Sequence, residues 1–276
     1  MLVTRIATAL VLVPLAVLGI LFLPTFAIAF VFAVLMLMGA WEWGAFVGLT
    51  RTPRLLFVLA TAVAMACVAG LRSRATPVGI ETVAIGLACL WWLAAVGWIV
   101  RFPDGWAETI GRPAITLVIG LVALVAPVAA VTYLHDSDTG AVLLVVFFFI
   151  VWAADTGAYM AGRTIGRHKL VPRVSPGKTR EGAIGGIVAA IVFAGIGGWV
   201  LGYTGTRLAG FMVLGGWVAA ISIVGDLGIS MFKRHAGLKD SGTLFPGHGG
   251  VLDRLDSVLA AAPWFVAGLH CLPSQF

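Results

Sequence analysis

Charge is what this chain has least of. Only 11% of its 276 residues are Asp, Glu, Lys or Arg, while 61% are hydrophobic; an ordinary soluble domain carries about 25% charged residues. That balance excludes a soluble enzyme, and no nucleic-acid partner is expected. Cysteine is scarce as well. Cys67, Cys89 and Cys271 lie in separate apolar runs without paired spacing, so no disulfide framework or thiolate metal site is expected, only small buried apolar residues. No His or Cys pair has the spacing of a zinc site, and the GxxxxGK[ST] phosphate-loop spacing is absent. Neither an internal repeat nor a low-complexity stretch interrupts the chain.

Long apolar runs fill the space that charge leaves. Runs of about twenty residues can each cross about 30 Å of hydrocarbon, and they recur throughout the sequence. The fold class expected is all-α: a polytopic integral membrane protein of about nine transmembrane helices, near 5–23, 26–48, 55–71, 82–100, 113–134, 140–162, 182–202, 207–229 and 251–272. The first run follows Arg5 but exceeds a signal-peptide core and lacks a small-x-small cleavage site, so it is read as a retained helix. One membrane domain, 1–276, is expected. Residues 1–134 form the N-terminal helices, and 135–276 form the C-terminal helices that carry the chemistry, with polar loops 163–181 and 230–250. Gly-rich segments such as "GAIGGIVAAIVFAGIGG" allow close helix approach and would permit a homodimer without requiring one.

Orientation follows from the positive-inside bias. Fourteen of the eighteen Lys and Arg residues fall on one side of the alternating chain and three on the other, with Arg254 inside the last helix. The N-terminus is therefore expected in the cytoplasm; an inner (plasma) membrane is expected because no organellar targeting sequence is read. Trp91, Trp92, Trp98 and Trp106 read as interfacial belts or lipid-facing surface.

Acidic residues in such a chain need a reason, because each costs about 2.5–3.5 kcal/mol within a spanning segment. Glu42, Asp155, Asp226, Asp253 and Asp256 are the candidates. Glu42 reads best as a polar helix end held by Arg254 or by backbone caps. The other four fall, by the alternation of spans, near the cytoplasmic ends of the sixth, eighth and ninth helices, with Asp253 and Asp256 on one helical face. Unpaired carboxylates at one depth repel each other; a divalent cation relieves that, and hard oxygen donors favour Mg²⁺ or Ca²⁺ over zinc.

Both cytoplasmic loops between these helices are basic. "SPGKTREG" places Ser175, Lys178, Thr179 and Glu181 just before a helix N-terminus, a suitable cradle for phosphate oxygens. His248, in "FPGHGG", reads as a phosphate or nucleotide contact over a space-filling loop residue. Cations for phosphate beside carboxylates for Mg²⁺ are the parts of phosphoryl-group transfer.

The stretch "SMFKRHAGLKDSGTLFPGHGGVLDRLD", Ser230–Asp256, resembles the signature of phosphatidate cytidylyltransferases, or CDP-diacylglycerol synthases, at every fixed position. "DTGAYMAGRTIGRHKL" and "SPGKTREG" resemble the same family's upstream segments; the N-terminal half is similar in hydropathy only. The resemblance implies that CTP and phosphatidic acid react to CDP-diacylglycerol and pyrophosphate at the bilayer surface. It implies Mg²⁺, with K⁺ as an optional second cation. It makes Asp226 and Asp253 the principal metal ligands, with Asp256 assisting. Asp155, Ser175, Lys178, Thr179 and Glu181 would contact the nucleotide, and Lys233, Arg234, Lys239, His248 and Arg254 would balance phosphate charge. Lys239 and Arg254 count among the catalytic residues, and Asp240, Gly249 and Gly250 belong to the nucleotide-binding group.

Phosphatidate is already an anionic nucleophile, so neither a Ser or Cys nucleophile nor a strong base is required. Two other readings remain open from the residues. One is a CTP-using enzyme acting on another lipid, of the CDP-archaeol synthase or polyprenol kinase type. The other is an ion-coupled transporter, although transporter sites lie near the midplane between repeats.

Overall fold

A computed structural model of the chain describes residues 13–71, 79–106, 108–242 and 249–272. In chain order these form α1 (Val13–Phe22), α2 (Thr25–Phe46), α3 (Arg51–Gly70), α4 (Ile80–Arg101), α5 (Pro113–His135), α6 (Gly140–Thr164), β1 (Lys169–Val171), β2 (Ser175–Thr179), α7 (Arg180–Val200), α8 (Gly205–His235) and α9 (Leu252–Leu269). Seven helices, α2 to α8, are long and apolar enough to cross a membrane, with mean hydropathy from 1.8 to 2.7. The protein is an all-α polytopic membrane protein. Its only sheet among the described residues is the β1–β2 hairpin.

Two local features depart from the expected boundaries, and both shape the site. The helix expected to stop at 229 continues to His235. Nothing before Ala236 breaks it, and Lys233, Arg234 and His235 complement the negative end of its dipole. It stops where Gly237 takes φ +67°. Gly237 N–H then donates to Arg234 O at 3.2 Å and Leu238 N–H to Lys233 O at 2.8 Å, the paired closure of a Schellman motif. Lys233 and Arg234 thus stand on a helix instead of in the following loop. The other departure is in loop 163–181, which contains an antiparallel hairpin pairing Lys169 with Thr179 and Val171 with Ser175.

α9 is the hub of the bundle, packed by α4, α5, α6 and α8. Residues 257–263 are all buried, whereas Asp253, Arg254 and Asp256 in its first turns are not. Two of the tryptophans are core, not the lipid-facing belts expected. Trp92 is fully buried and its indole N–H donates to Leu259 O at 3.1 Å, tying α4 to α9. Trp106 is 2% exposed and packs edge-on against Phe232 at 5.1 Å. An indole brings a large apolar surface to the core; the Trp106 N–H finds no hydrogen-bond partner there among the described residues. Trp91 and Trp98 are half-buried. Of the cysteines only Cys89 is buried; Cys67 and Cys271 are exposed.

Small residues bring the C-terminal helices into contact. A Cβ at Gly186 of α7 would lie 2.7 Å from Ala154 O of α6, and one at Gly182 would lie 2.9 Å from Ala158 O. One at Gly225 of α8 would collide with Asp256 O of α9. At these points backbones touch, so the neighbouring side chains Asp155, Asp226 and Asp256 are drawn to one end of the bundle.

Candidate active site

That end holds a cavity of about 710 Å³, a volume typical of small-ligand sites. The C-terminal part of α6 supplies Asp155, Tyr159 and Arg163. The end of the hairpin supplies Lys178 and Thr179. α8 supplies Ser222 and Asp226, and the first turns of α9 supply Asp253, Arg254, Asp256 and Ser257. Seven residues expected from the sequence therefore share one wall: Asp155, Lys178, Thr179, Asp226, Asp253, Arg254 and Asp256.

The four aspartates are not equivalent. Asp253 Oδ1 accepts from Lys233 Nζ at 2.6 Å. Its Oδ2 accepts from Ser241 N–H at 2.8 Å and Gly250 N–H at 2.9 Å, and lies 3.0 Å from Ser241 Oγ, whose one proton it shares with Glu42. Three full donors and a shared hydroxyl occupy most of the roughly four lone-pair sites of a carboxylate. Lys233 and Asp253 side chains are only 12% and 10% exposed, so the pair is desolvated and each ion depends on the other. Asp253 acts as a latch between α8, the segment around Ser241 and the start of α9.

Asp155, Asp226 and Asp256 keep spare capacity. Lys178 Nζ is 2.5 Å from Asp226 Oδ2, and Ser230 Oγ–H donates to Asp226 at 3.4 Å. Asp256 accepts from Ser257 N–H at 2.7 Å, and Asp155 accepts from Ser257 Oγ–H at 3.5 Å. Asp155 and Asp226 both lie within electrostatic reach of Asp256, and Lys178 lies among the three.

Other expected residues support the site from outside the cavity wall. Glu181 accepts from Arg167 N–H at 3.1 Å, from His168 N–H at 3.2 Å and from the His168 ring at 2.6 Å, pinning the segment that leads into β1. Thr179, itself on the wall, also caps α7, its hydroxyl accepting from Gly182 N–H at 3.1 Å. Arg234 Nε–H donates to Val174 O at 3.4 Å, holding the hairpin turn against α8. Ser175 is half-buried, and Lys239 and Asp240 are exposed on the segment after α8. Gly249 takes φ +81°, which favours glycine. His248 lies outside the described residues.

Glu42 is 6% exposed. Its carboxylate accepts from Val251 N–H at 2.8 Å, Leu252 N–H at 2.9 Å and Ser241 Oγ–H at 2.7 Å. α9 has no side-chain cap of its own; the carboxylate of α2 serves in its place, at the positive end of the helix dipole. The sequence suggested only a polar end of its own helix; the structure makes Glu42 the acceptor for the first N–H groups of α9.

Tyr159, Arg163, Ser222 and Ser257 also line the cavity and were missed from sequence. Helical spacing carried a signal for three of them: Tyr159 and Arg163 lie four and eight residues after Asp155, and Ser222 lies four before Asp226. Ser257 directly follows Asp256.

No three His, Cys, Asp or Glu side chains among the described residues are grouped as a ready metal cage. The donor chemistry nevertheless suits a hard cation, since Mg²⁺ is usually held by one or two carboxylates with waters and substrate phosphates completing its shell.

A helical membrane protein whose carboxylates and cations share one ligand-sized cavity has the parts that phosphate-transfer enzymes use. The chain matches the cytidylyltransferase family over residues 3–272 and belongs to it. It is therefore a nucleotidyltransferase. A phosphatidate cytidylyltransferase of Haemophilus influenzae is 39% identical over 283 residues, covering 96% of this chain and 97% of the relative. One of Pseudomonas aeruginosa is 38% identical over 268 residues, covering 97% and 96%. One of Brucella suis is 44% identical over 135 residues, 46% of each chain.

Proposed function

We propose that the chain transfers the cytidylyl group of CTP to phosphatidic acid in phospholipid biosynthesis. A phosphate oxygen of phosphatidate bonds to the α-phosphorus of CTP, the α–β anhydride bond breaks, and pyrophosphate leaves with its electron pair. The carrying observation is that Asp155, Asp226 and Asp256, from three helices, line one cavity with Lys178 and Arg254. The family relatives named phosphatidate cytidylyltransferase support the choice of substrates.

The obstacle in this reaction is charge, because an anion must approach a polyanion. Asp226 and Asp256, with Asp155 beside them, would hold Mg²⁺, which when bound neutralises phosphate charge and polarises phosphoryl oxygens. Lys178 and Arg254 place fixed positive charge where pyrophosphate charge develops. Asp253 and Lys233 hold the floor in position, and Glu42 anchors the start of α9. The positive-inside bias supports a cavity that faces the cytoplasm from an inner membrane, where CTP arrives from water while acyl chains stay in lipid.

Purified protein incubated with CTP, phosphatidate and Mg²⁺ tests the reading. CDP-diacylglycerol and pyrophosphate in equal amounts are expected; neither appearing would refute it.

A further inference from the structure

Arg163 differs from the other cations of the cavity. Lys178 already lies against Asp226, whereas Arg163 has no carboxylate partner among the described residues. Its Nη1 donates to the Tyr159 hydroxyl at 2.6 Å, and its guanidinium carbon stands 5.9 Å from the Tyr159 ring centroid. Arg163 is exposed at the cavity mouth, folds back along α6 onto Tyr159 and lines the cavity.

Asp155, Tyr159 and Arg163 share one face of α6 at intervals of four residues. With a rise of 1.5 Å per residue, Arg163 lies about 12 Å beyond Asp155 along the axis. Helical side chains lean towards the N-terminus, so the guanidinium and phenol point back towards the carboxylates and shorten that gap. The Tyr159 oxygen accepts from Arg163, which leaves its O–H free to donate. Together they present a planar fork and a hydroxyl, a set of donors suited to a phosphate dianion.

The surroundings favour a lipid as the source of that phosphate. Tyr159 is 63% exposed, and Met160, Ile165 and Ile184 are 61%, 61% and 63% exposed at the same end of α6 and α7. Uncovered apolar surface beside a cationic rim fits a phosphate carried on acyl chains better than one carried on a cytidine. We infer that Arg163 and Tyr159 form the subsite for the phosphate monoester of the lipid substrate, at the rim of the cavity and apart from the carboxylate floor. This rests on the proposed reaction only for the choice of lipid.

The test uses full-length protein in detergent, with Arg163→Gln, Arg163→Lys and Tyr159→Phe. Titration with short-chain phosphatidate and with CTP, separately and without turnover, gives binding. Steady-state rates give KM for each substrate. R163Q is expected to weaken phosphatidate binding and raise its KM by about tenfold or more, the loss of a charge-assisted two-point contact, with CTP binding unchanged. R163K and Y159F should fall between R163Q and wild type. Phosphatidylglycerol, a phosphodiester, should bind weakly to wild type and be insensitive to R163Q. If R163Q weakens CTP instead, or R163K, folded by its melting temperature, binds both ligands like wild type, the subsite is wrong. Wild-type protein that binds phosphatidate through Arg163 but forms no liponucleotide would refute the reaction and keep the subsite. Liponucleotide formation with unchanged phosphatidate affinity in R163Q would do the reverse.

Discussion

The Lys178 ammonium lies 2.5 Å from Oδ2 of Asp226, joining the hairpin to α8 at the floor of the cavity. The carboxylate that a divalent cation would use already has a positive partner, supplied by the segment that the sequence marks as a phosphate cradle. In the proposed reaction, substrate phosphates would offer Lys178 a second set of acceptors and free Asp226 for the cation.

Asp226→Asn should therefore remove turnover without unfolding the protein. A loss on the order of a hundredfold or more in kcat/KM is expected from removing a charge that acts on the transferring group. Liponucleotide formation and the melting temperature of the purified variant measure the two parts. Wild-type rates would remove Asp226 from the site.

Asp253 should behave differently. Asp253→Asn strands the Lys233 ammonium in a desolvated position, which costs about 3–5 kcal/mol. The melting temperature should fall along with activity. Adding Lys233→Met to D253N should recover much of the lost stability, since the stranded charge is gone, while turnover stays low because the latch to Ser241 and Gly250 is still weakened. A single variant as stable as wild type would show that the latch carries no weight.

Glu42→Gln tests the cap from α2 to α9. A charged acceptor of three hydrogen bonds is replaced by an amide that can present only one oxygen. With charged hydrogen bonds worth about 1.5–3 kcal/mol each, a stability loss of about 2–3 kcal/mol is expected. At temperatures where the variant is folded, KM for CTP should stay close to wild type. Thermal unfolding and steady-state kinetics check this; an unchanged melting temperature with a large rise in KM would make Glu42 a ligand-binding residue instead.

Removing divalent cations with EDTA should stop the reaction, and Mg²⁺ should restore it. Asp256→Asn should raise the Mg²⁺ concentration needed for half-maximal rate, because one oxygen donor is lost. Full activity in EDTA would defeat the assignment of the carboxylate floor.

The sequence revealed the floor because acidic residues cost so much in an apolar chain that each needs a purpose. Asp155, Asp226, Asp253 and Asp256 could be set at one level from the alternation of spans alone. What separates Asp253 from the others was not legible. Its partners Ser241 and Gly250 are ordinary residues until the chain before α9 folds back over them. Glu42 meets Leu252 from 210 residues away, so nothing in the sequence around it names the helix end it holds. Trp92 and Trp106 looked like membrane-interface residues because hydropathy does not record which face of a helix meets another helix. Arg163 was counted as topogenic charge, although its spacing from Asp155 placed it on the cavity face.

The most direct test of the central claim follows the phosphorus of CTP. Purified protein receives phosphatidate, Mg²⁺ and CTP labelled either at the α- or at the γ-phosphate, and the lipid fraction is counted. Cytidylyl transfer at the carboxylate floor predicts label in the lipid from the α-position only, with the signal lost in D226N. Lipid labelled from the γ-position, or α-label that persists in D226N, would contradict it.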